Sequence, residues 1–571
     1  MWEWELESPP AALWPLVSDT NRFNLEAGAP SIEALGVEAD GRRRLRVRAL
    51  GRGIEYDETP FEWVRPERFG VVRRFRSGPI AELAARLALA PRNGGSLLTY
   101  EVRAVPRGFL GRPLTAIGMR RVHRRFDEVF RRFDRAAAGG RALPAPRVRP
   151  LLAPGGPERL AVLGKELVAG GLASDLVARL GDTIETADDV TAARLRPHAL
   201  ADAWGAGRRA VLELALQATR AGLLESRWEL LCPLCRGATR TARSLGELES
   251  HAHCDSCDVD VVADLDRSLE LVFRPHPAVR DVPLADFCVA GPGLTPHIVA
   301  QQRLAPGERR TLRLPLEAGG YRARVRGVDG SRPFTVAPEE PFAIVELSNA
   351  TDREALHVVE RTAWTDQAAT AGEVTALQAF RDLFGREALR PGEELSVGSL
   401  AIAFTDLRDS TRLYQDIGDA SAYGSVVAHF DVLREAVRRE DGAVVKTIGD
   451  AVMAVFRRPV CALRALGSAQ RELASAGLGR RPLLLKAGVH LGPCLAVTSN
   501  DRLDYFGSTV NLAARIVGLS TGRDIVVSAA VRADPEVSEL LAAGELAVEP
   551  LDATLKGFDE RFALWRVASR G

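Results

Sequence analysis

The chain has 571 residues, with 76 Lys and Arg against 75 Asp and Glu, and is 46% hydrophobic. Near-neutral charge and ordinary hydrophobicity exclude a wholly basic nucleic-acid coat and an acidic disordered chain, and no apolar run of about 18 residues offers a membrane span. The balance is an average, because residues 1–150 hold 27 Arg against 18 acidic groups and the remainder is acidic by eight. Only Lys165, Lys446, Lys486 and Lys556 among the basic residues are lysine, so each point-charge amine stands out from the guanidinium background. The start, MWEWELESPP, lacks the basic opening and apolar stretch of a secretion signal, which makes the cytoplasm the expected location. Seven cysteines, an odd number, do not make a disulfide scaffold.

Residues 1–140 open on an alternating strand, WEWEL, and an amphipathic stretch from Pro9 to Phe23. Strand-like runs follow (RRLRVRAL, IEYDETPFEWV, FGVVRRFRS, SLLTYEVRAV), and a long helix closes the segment. Met119, Val122, Phe126, Val129, Phe130 and Phe133 recur on that helix at spacings of three and four, which gives it one apolar face. This order of elements resembles the helix-grip fold of the START/polyketide-cyclase superfamily. The resemblance implies a sheet wrapped round the helix and a pocket for a small apolar ligand; a packed core without ligand is the equal alternative. Arg120, Arg121, Arg124, Arg125, Arg131 and Arg132 read as a solvated face rather than a phosphate or lipid contact.

A Pro/Arg-rich linker leads to a helical region at 157–227. Cys232 and Cys235 then precede Cys254 and Cys257 by 18 residues, the spacing of a zinc ribbon. Each pair can turn two thiolates toward one tetrahedral ion, so one structural Zn²⁺ is expected, with His251 or His253 as substitutes that lack the paired spacing. The absence of a flanking basic cluster argues against nucleic acid as the partner. Short apolar runs between Gly and Pro turns predict a small β-sandwich at 270–345, and a helical connector spans 346–395.

From Ser396 the pattern becomes strand, helices, hairpin, helix, strand. SLAIAFTDL is a buried strand ending at Asp406, and AVVKTIGDAVMAVF is a hairpin with Gly449 and Asp450 at its turn. Two carboxylates on neighbouring strand ends suit two Mg²⁺ or Mn²⁺ ions. Together with LLLKAGVHLG, LDYFGSTVNLAAR and LKGF, these motifs closely resemble the class III adenylate/guanylate cyclase catalytic domain over 396–567.

The resemblance implies that Asp406 and Asp450, with the backbone of Leu407, hold two metal ions per active site. It makes Lys446 and Asp504 the purine-reading pair; an ammonium and a carboxylate complement the acceptor N1 and donor N6 of adenine, so ATP is the expected substrate. Asn511 and Arg515, four apart on a helix, correspond to the pair that orients the ribose and stabilises transition-state charge. Lys556 corresponds to a triphosphate contact. In this family one subunit supplies the metal aspartates and its partner the remainder, so a homodimer is expected. One position departs from the pattern: DLRDST places Asp409 where the family commonly has glycine. Its side chain could face solvent, cap a helix, weaken nucleotide binding or bind metal.

The expected fold class is multidomain α+β. It comprises an N-terminal helix-grip α+β domain (1–140), the helical region (157–227), the zinc ribbon (228–269), the small β-sandwich (270–345), the connector (346–395) and a ferredoxin-like α/β cyclase domain (396–567). The arrangement looks like bacterial cyclases with a zinc-ribbon-bearing N-terminal half. The leading function is adenylate cyclase, ATP to 3′,5′-cyclic AMP and pyrophosphate, regulated by the upstream domains. The alternatives are a catalytically weak nucleotide-binding module and a zinc-ribbon nucleic-acid regulator.

Overall fold

Alternation in Trp2–Leu6 puts Trp4 and Leu6 inside and Glu3 and Glu5 outside, and the strand pairs with Gly95–Pro106, Trp4 opposite Leu98. The structure, a computed structural model, describes all residues except 39–40, 50–51, 140–149, 235, 255–256, 258, 284, 329, 341, 363–366, 386, 391–392, 411, 413–414, 416–417, 476–481, 559 and 570–571. The antiparallel strands up to Pro106 are closed by helix α1 (Gly108–Ala138). Among the described residues of α1, Val129, Phe130 and Phe133 are sealed, whereas Ile117 is 55% exposed. Phe130 packs 4.9 Å from the Trp4 ring and 5.0 Å from Phe23, and burial of each such ring contributes roughly 2–3 kcal/mol. The space among Phe23, Phe61, Phe69, Leu87 and Tyr100 is about 30 Å³, room for about one water molecule. That part of the interior is packed, whereas an open cleft of about 450 Å³ lies beside it at Trp2, Met119, His123 and Asp127. Several α1 arginines are tied inward: Arg125 donates to the carbonyls of Ala27 and Gly28, and Arg132 pairs with Glu26.

The N-terminal sheet does not stop at its own domain. Glu62–Val64 pairs on one side with Arg68–Phe75 and on the other with Ile298–Leu304, Val64 opposite Ala300. One sheet of 12 strands thus joins the N-terminal segment to Gly319–Val325, Ser331–Val336 and Ala355–Arg361. The pair Arg309–Leu314 and Ala343–Ser348 packs on it through Leu312, Leu314, Tyr321 and Val345. The β-unit expected to end at 345 continues to Arg361. ALHVVER carries the adjacent Val358 and Val359 and pairs with strands on both sides, which suits strand rather than helix. The connector helices are short, Ala371–Thr375 and α2 (Gln378–Leu383).

Helices Gly156–Ala169, Ser174–Thr186, Pro197–Trp204 and Arg208–Arg220 make up most of the helical region. The last buries Val211, Leu212, Leu214, Ala215, Leu216 and Ala218. Leu224–Leu231 follows, flanked by Ala238–Ala242 and Leu269–Pro275, and a hairpin pairs His251–Cys254 with Val259–Val262.

In the C-terminal domain, β1 (Leu395–Leu407) lies in the middle of a sheet and is buried on both faces from Leu400 to Thr405. The others are β2 (Gly442–Ile448), β3 (Ala451–Phe456), β4 (Leu485–Ser499), β5 (Arg502–Phe506), β6 (Ile525–Ser528), β7 (Leu546–Thr554) and β8 (Arg561–Ser569). The order is β2-β3-β1-β4-β6-β8-β7, with β5 hairpinned onto β4. Ala401 and Ala403 face helices α3 (Asp419–Arg439) and α4 (Pro459–Ser475). Leu400, Ile402 and Phe404 belong to the opposite core, shared with α5 (Ser508–Ile516), the connector and the upstream helical region.

That shared core makes the upstream module part of the same packed body as the C-terminal domain. Polar contacts reinforce it: the Asp266 carboxylate accepts from the Gly398 N–H at 2.7 Å and from Arg457 at 2.5 Å. Arg381 on α2 donates to the Leu503 carbonyl, and Gln378 accepts from the Val444 N–H. Among the described residues no helix is long and apolar enough to cross a membrane.

Candidate active site

Asp406 ends the buried run of β1, directly opposite Lys486 on β4. Asp450 stands beside it because the β2–β3 turn has only two residues, Gly449 and Asp450, between paired Ile448 and Ala451. Gly449 has φ +65°, a conformation that two-residue hairpins require and that glycine adopts without strain. Burial, and then the charge of Asp450, push the Asp406 carboxyl above its usual range; Lys486 and the Leu407 N–H oppose them. Two carboxylates close enough to repel favour a cation between them. Asp450 Oδ2 is buried without a hydrogen-bond partner, so an acceptor there is available to a ligand. The donor set and that orphaned oxygen fit hard divalent ions.

Lys446 on β2 and Asp504 on β5 meet directly, Nζ to Oδ2 at 2.5 Å. Asp504 is 7% exposed, and its other oxygen accepts from the Tyr505 N–H at 2.8 Å. The pair thus has one buried acid oriented by the backbone and one amine that remains partly exposed. Connector helix α2 holds both strands at this point, through Gln378 to Val444 and Arg381 to Leu503.

β5 passes through Gly507 straight into α5, so Asp504, Asn511 and Arg515 ride on consecutive elements. Asn511 and Arg515 are exposed and one helical turn apart. Lys556 lies exposed in the turn between β7 and β8. Within one protomer, the charges that act on Asp406 are those of Asp450 and Lys486. The metal-type acids and the Lys446–Asp504 couple are two separate pairs.

Asp409 has φ +55°, the left-handed region that favours glycine. Its side chain is 73% exposed and lies 3.5 Å from Arg408 Nε. Backbone conformation at this position is therefore that of a glycine turn, and the carboxylate faces outward.

Two neighbours escaped the sequence reading. Lys486 was visible as a rare lysine, but only strand register places it against Asp406. His429, fully buried on α3, lies near enough to Asp450 to feel its charge, with burial holding its pKa below the ordinary value. Nothing in the local sequence marks it.

In the segment expected to be a zinc ribbon, the sulfurs of Cys232, Cys254 and Cys257 lie within 4.8 Å of one another and all three residues are buried. Cys235 lies outside the described residues. His251 and His253 are exposed and engage Ser250 and Asp260 instead. Three gathered thiols are a donor set that suits Zn²⁺.

A family model described as adenylate and guanylate cyclase catalytic domain matches residues 393–552, and a family of unknown function matches residues 166–286. An adenylate cyclase of Lachancea kluyveri is 32% identical over 178 residues, 27% of this chain and 10% of that protein. The human guanylate cyclase soluble subunit beta-2 is 29% identical over 214 residues, 33% of each chain. The chain thus spans a tenth of the fungal relative and a third of the human one. A solved adenylate cyclase structure from Trypanosoma brucei aligns with 30% of this chain and 90% of its own, at 21% identity and a TM-score of 0.27.

Proposed function

From a C-terminal segment, residues 393–552, that is a class III adenylate and guanylate cyclase catalytic domain, we propose that the chain converts ATP to 3′,5′-cyclic AMP and pyrophosphate. Two copies share each site, one giving Asp406 and Asp450, the other Lys446, Asp504, Asn511 and Arg515. The observation that carries the substrate is the Lys446–Asp504 couple at 2.5 Å. A fixed carboxylate accepts from the adenine N6 amine, while the ammonium donates to N1; guanine presents the reverse pattern. The couple opens as the base enters, and each partner exchanges its neighbour for a base edge.

Asp406, Asp450 and the Leu407 backbone would hold two Mg²⁺ or Mn²⁺ ions, which when bound favour the 3′-alkoxide and neutralise phosphate charge. The 3′-oxygen, its proton passing to solvent, forms a bond to the α-phosphorus as the bond to the bridging oxygen breaks and pyrophosphate departs. Asn511 orients the ribose, Arg515 donates to the phosphoryl oxygens as charge develops, and Lys556 contacts the triphosphate. The homodimer rests on the family pattern, in which one subunit gives the acid pair and its partner the purine pair. The ribbon cysteines, Cys232, Cys235, Cys254 and Cys257, form a structural Zn²⁺ site under this reading. The outward side chain of Asp409 weighs against a module disabled at that turn. Cyclic AMP formation from ATP with Mn²⁺, lost in Asp406→Ala, tests the proposal.

A further inference from the structure

A cavity of about 1070 Å³ lies away from the cyclase strands, where four upstream parts meet. The N-terminal domain contributes Asn21, Arg22 and Arg43; the helical region Thr191, Arg194 and Arg196. The ribbon segment adds Arg236 and Cys257, and the β-unit Gln301, Arg324 and Arg326. Seven arginines and four carboxylates line the walls, so guanidinium donors outnumber acids at the cavity surface.

The arginines are held from behind. Arg194 uses Nε and Nη2 on Glu229 and Glu270, and Arg324 uses Nε and Nη2 on Glu360. Arg22, itself 5% exposed, is anchored by Asp188 at 2.7 Å. Asp188, Glu270 and Glu360 are buried and outside the cavity lining. They fix the direction of each fork, and Glu229, Asp19 and Thr191 of the lining itself take further donors of Arg194 and Arg22. A guanidinium has five donors in a fixed plane, and Arg194 Nη1 makes no hydrogen bond among the described residues. Preoriented arginines of this kind suit phosphate and carboxylate oxygens. Thr191, Asn21 and Gln301 supply neutral polar contacts, and Trp63, Ile298 and Val358 an apolar wall. The volume accommodates a ligand of nucleotide size.

We propose that this cavity is a binding site for a small polyanionic molecule bearing phosphate or carboxylate groups, separate from the cyclase site. A ligand there bridges all four upstream parts. Of these, the helical region and the ribbon segment share a core with the C-terminal domain, and Asp266 pairs with Arg457 across that seam, so occupancy stiffens the body that holds β2 and β5 in place.

The test is isothermal titration of the full chain, its zinc retained, in buffer without added Mg²⁺ or Mn²⁺, with tripolyphosphate as the phosphate probe and citrate as the carboxylate probe. Saturable binding of either probe at one per chain is expected. Arg194→Gln weakens it at least tenfold, and Arg515→Ala leaves it within twofold. Arg43→Gln, on the strand Arg43–Ala49, serves if Arg194→Gln lacks a native circular dichroism spectrum, with the same tenfold loss expected. Binding of neither probe overturns the proposal, as does binding abolished by Arg515→Ala but untouched by the cavity variants. Because the readout is binding without turnover, its failure is distinct from a failure of the cyclase reading.

Discussion

Lys446 Nζ lies 2.5 Å from Asp504 Oδ2, and the two residues come from strands that connector helix α2 holds together. The opposite charges satisfy each other before any base arrives. Exchanging them, Lys446→Asp with Asp504→Lys, keeps an ion pair but inverts donor and acceptor toward the base. Steady-state kinetics with both nucleotides should show the ATP-over-GTP ratio of kcat/KM falling about 100-fold, within the range for a misplaced hydrogen-bond partner. An unchanged ratio would remove these residues from base recognition.

Asp406 and Asn511 belong to different pairs of side chains within one protomer. An Asp406→Ala chain and an Asn511→Ala chain should each be inactive. Mixed in equal amounts, they should recover roughly a quarter of wild-type activity, since half the dimers carry one intact composite site under two-fold symmetry. No recovery on mixing, with dimers verified by sedimentation, would refute the shared site.

Asp409 adopts a glycine-like φ of +55° with its carboxylate outward. Asp409→Gly relieves left-handed strain but adds unfolded-state freedom, so stability should change by less than about 1 kcal/mol in urea unfolding. The variant should turn over at least as fast as the parent. A fall in kcat of tenfold or more would mean that the carboxylate takes part in the reaction.

The thiols of Cys232, Cys254 and Cys257 converge within 4.8 Å. Purified protein should contain about one zinc per chain by elemental analysis, and Cys254→Ser should lose most of it. Removal should lower the melting temperature by several degrees, since folding and metal binding are linked. A wild-type chain with native fold and no zinc would contradict the ribbon assignment.

Much of the C-terminal site was legible because its groups sit at strand ends, turns and helix faces that leave a local signature. FTDL ends a continuous apolar strand, IGD marks a two-residue hairpin, and Asn511 and Arg515 share one helix face. The Lys486–Asp406 register and the burial of His429 near Asp450 depend on pairings distant in sequence, which periodicity does not encode. The same holds for the seam between parts. Val64 opposite Ala300 fuses two sheets, although each strand alone reads as an ordinary member of its own domain. The aromatic stripe of α1 predicted an apolar interior, but side-chain volume, not pattern, decides whether that interior is a pocket or a core. The strand Ala355–Arg361 falls in the stretch expected to be connector because it is short and its partners lie more than 30 residues away.

The most direct test of the central claim is turnover by the full chain with Mn²⁺, ATP and GTP compared at equal concentration. Cyclic AMP is expected from ATP, with a clear preference over GTP and loss of both activities in Asp406→Ala and Asp450→Ala. Preference for GTP would contradict the reading of Lys446 and Asp504, and no cyclic nucleotide from either substrate would contradict the assignment of a working cyclase.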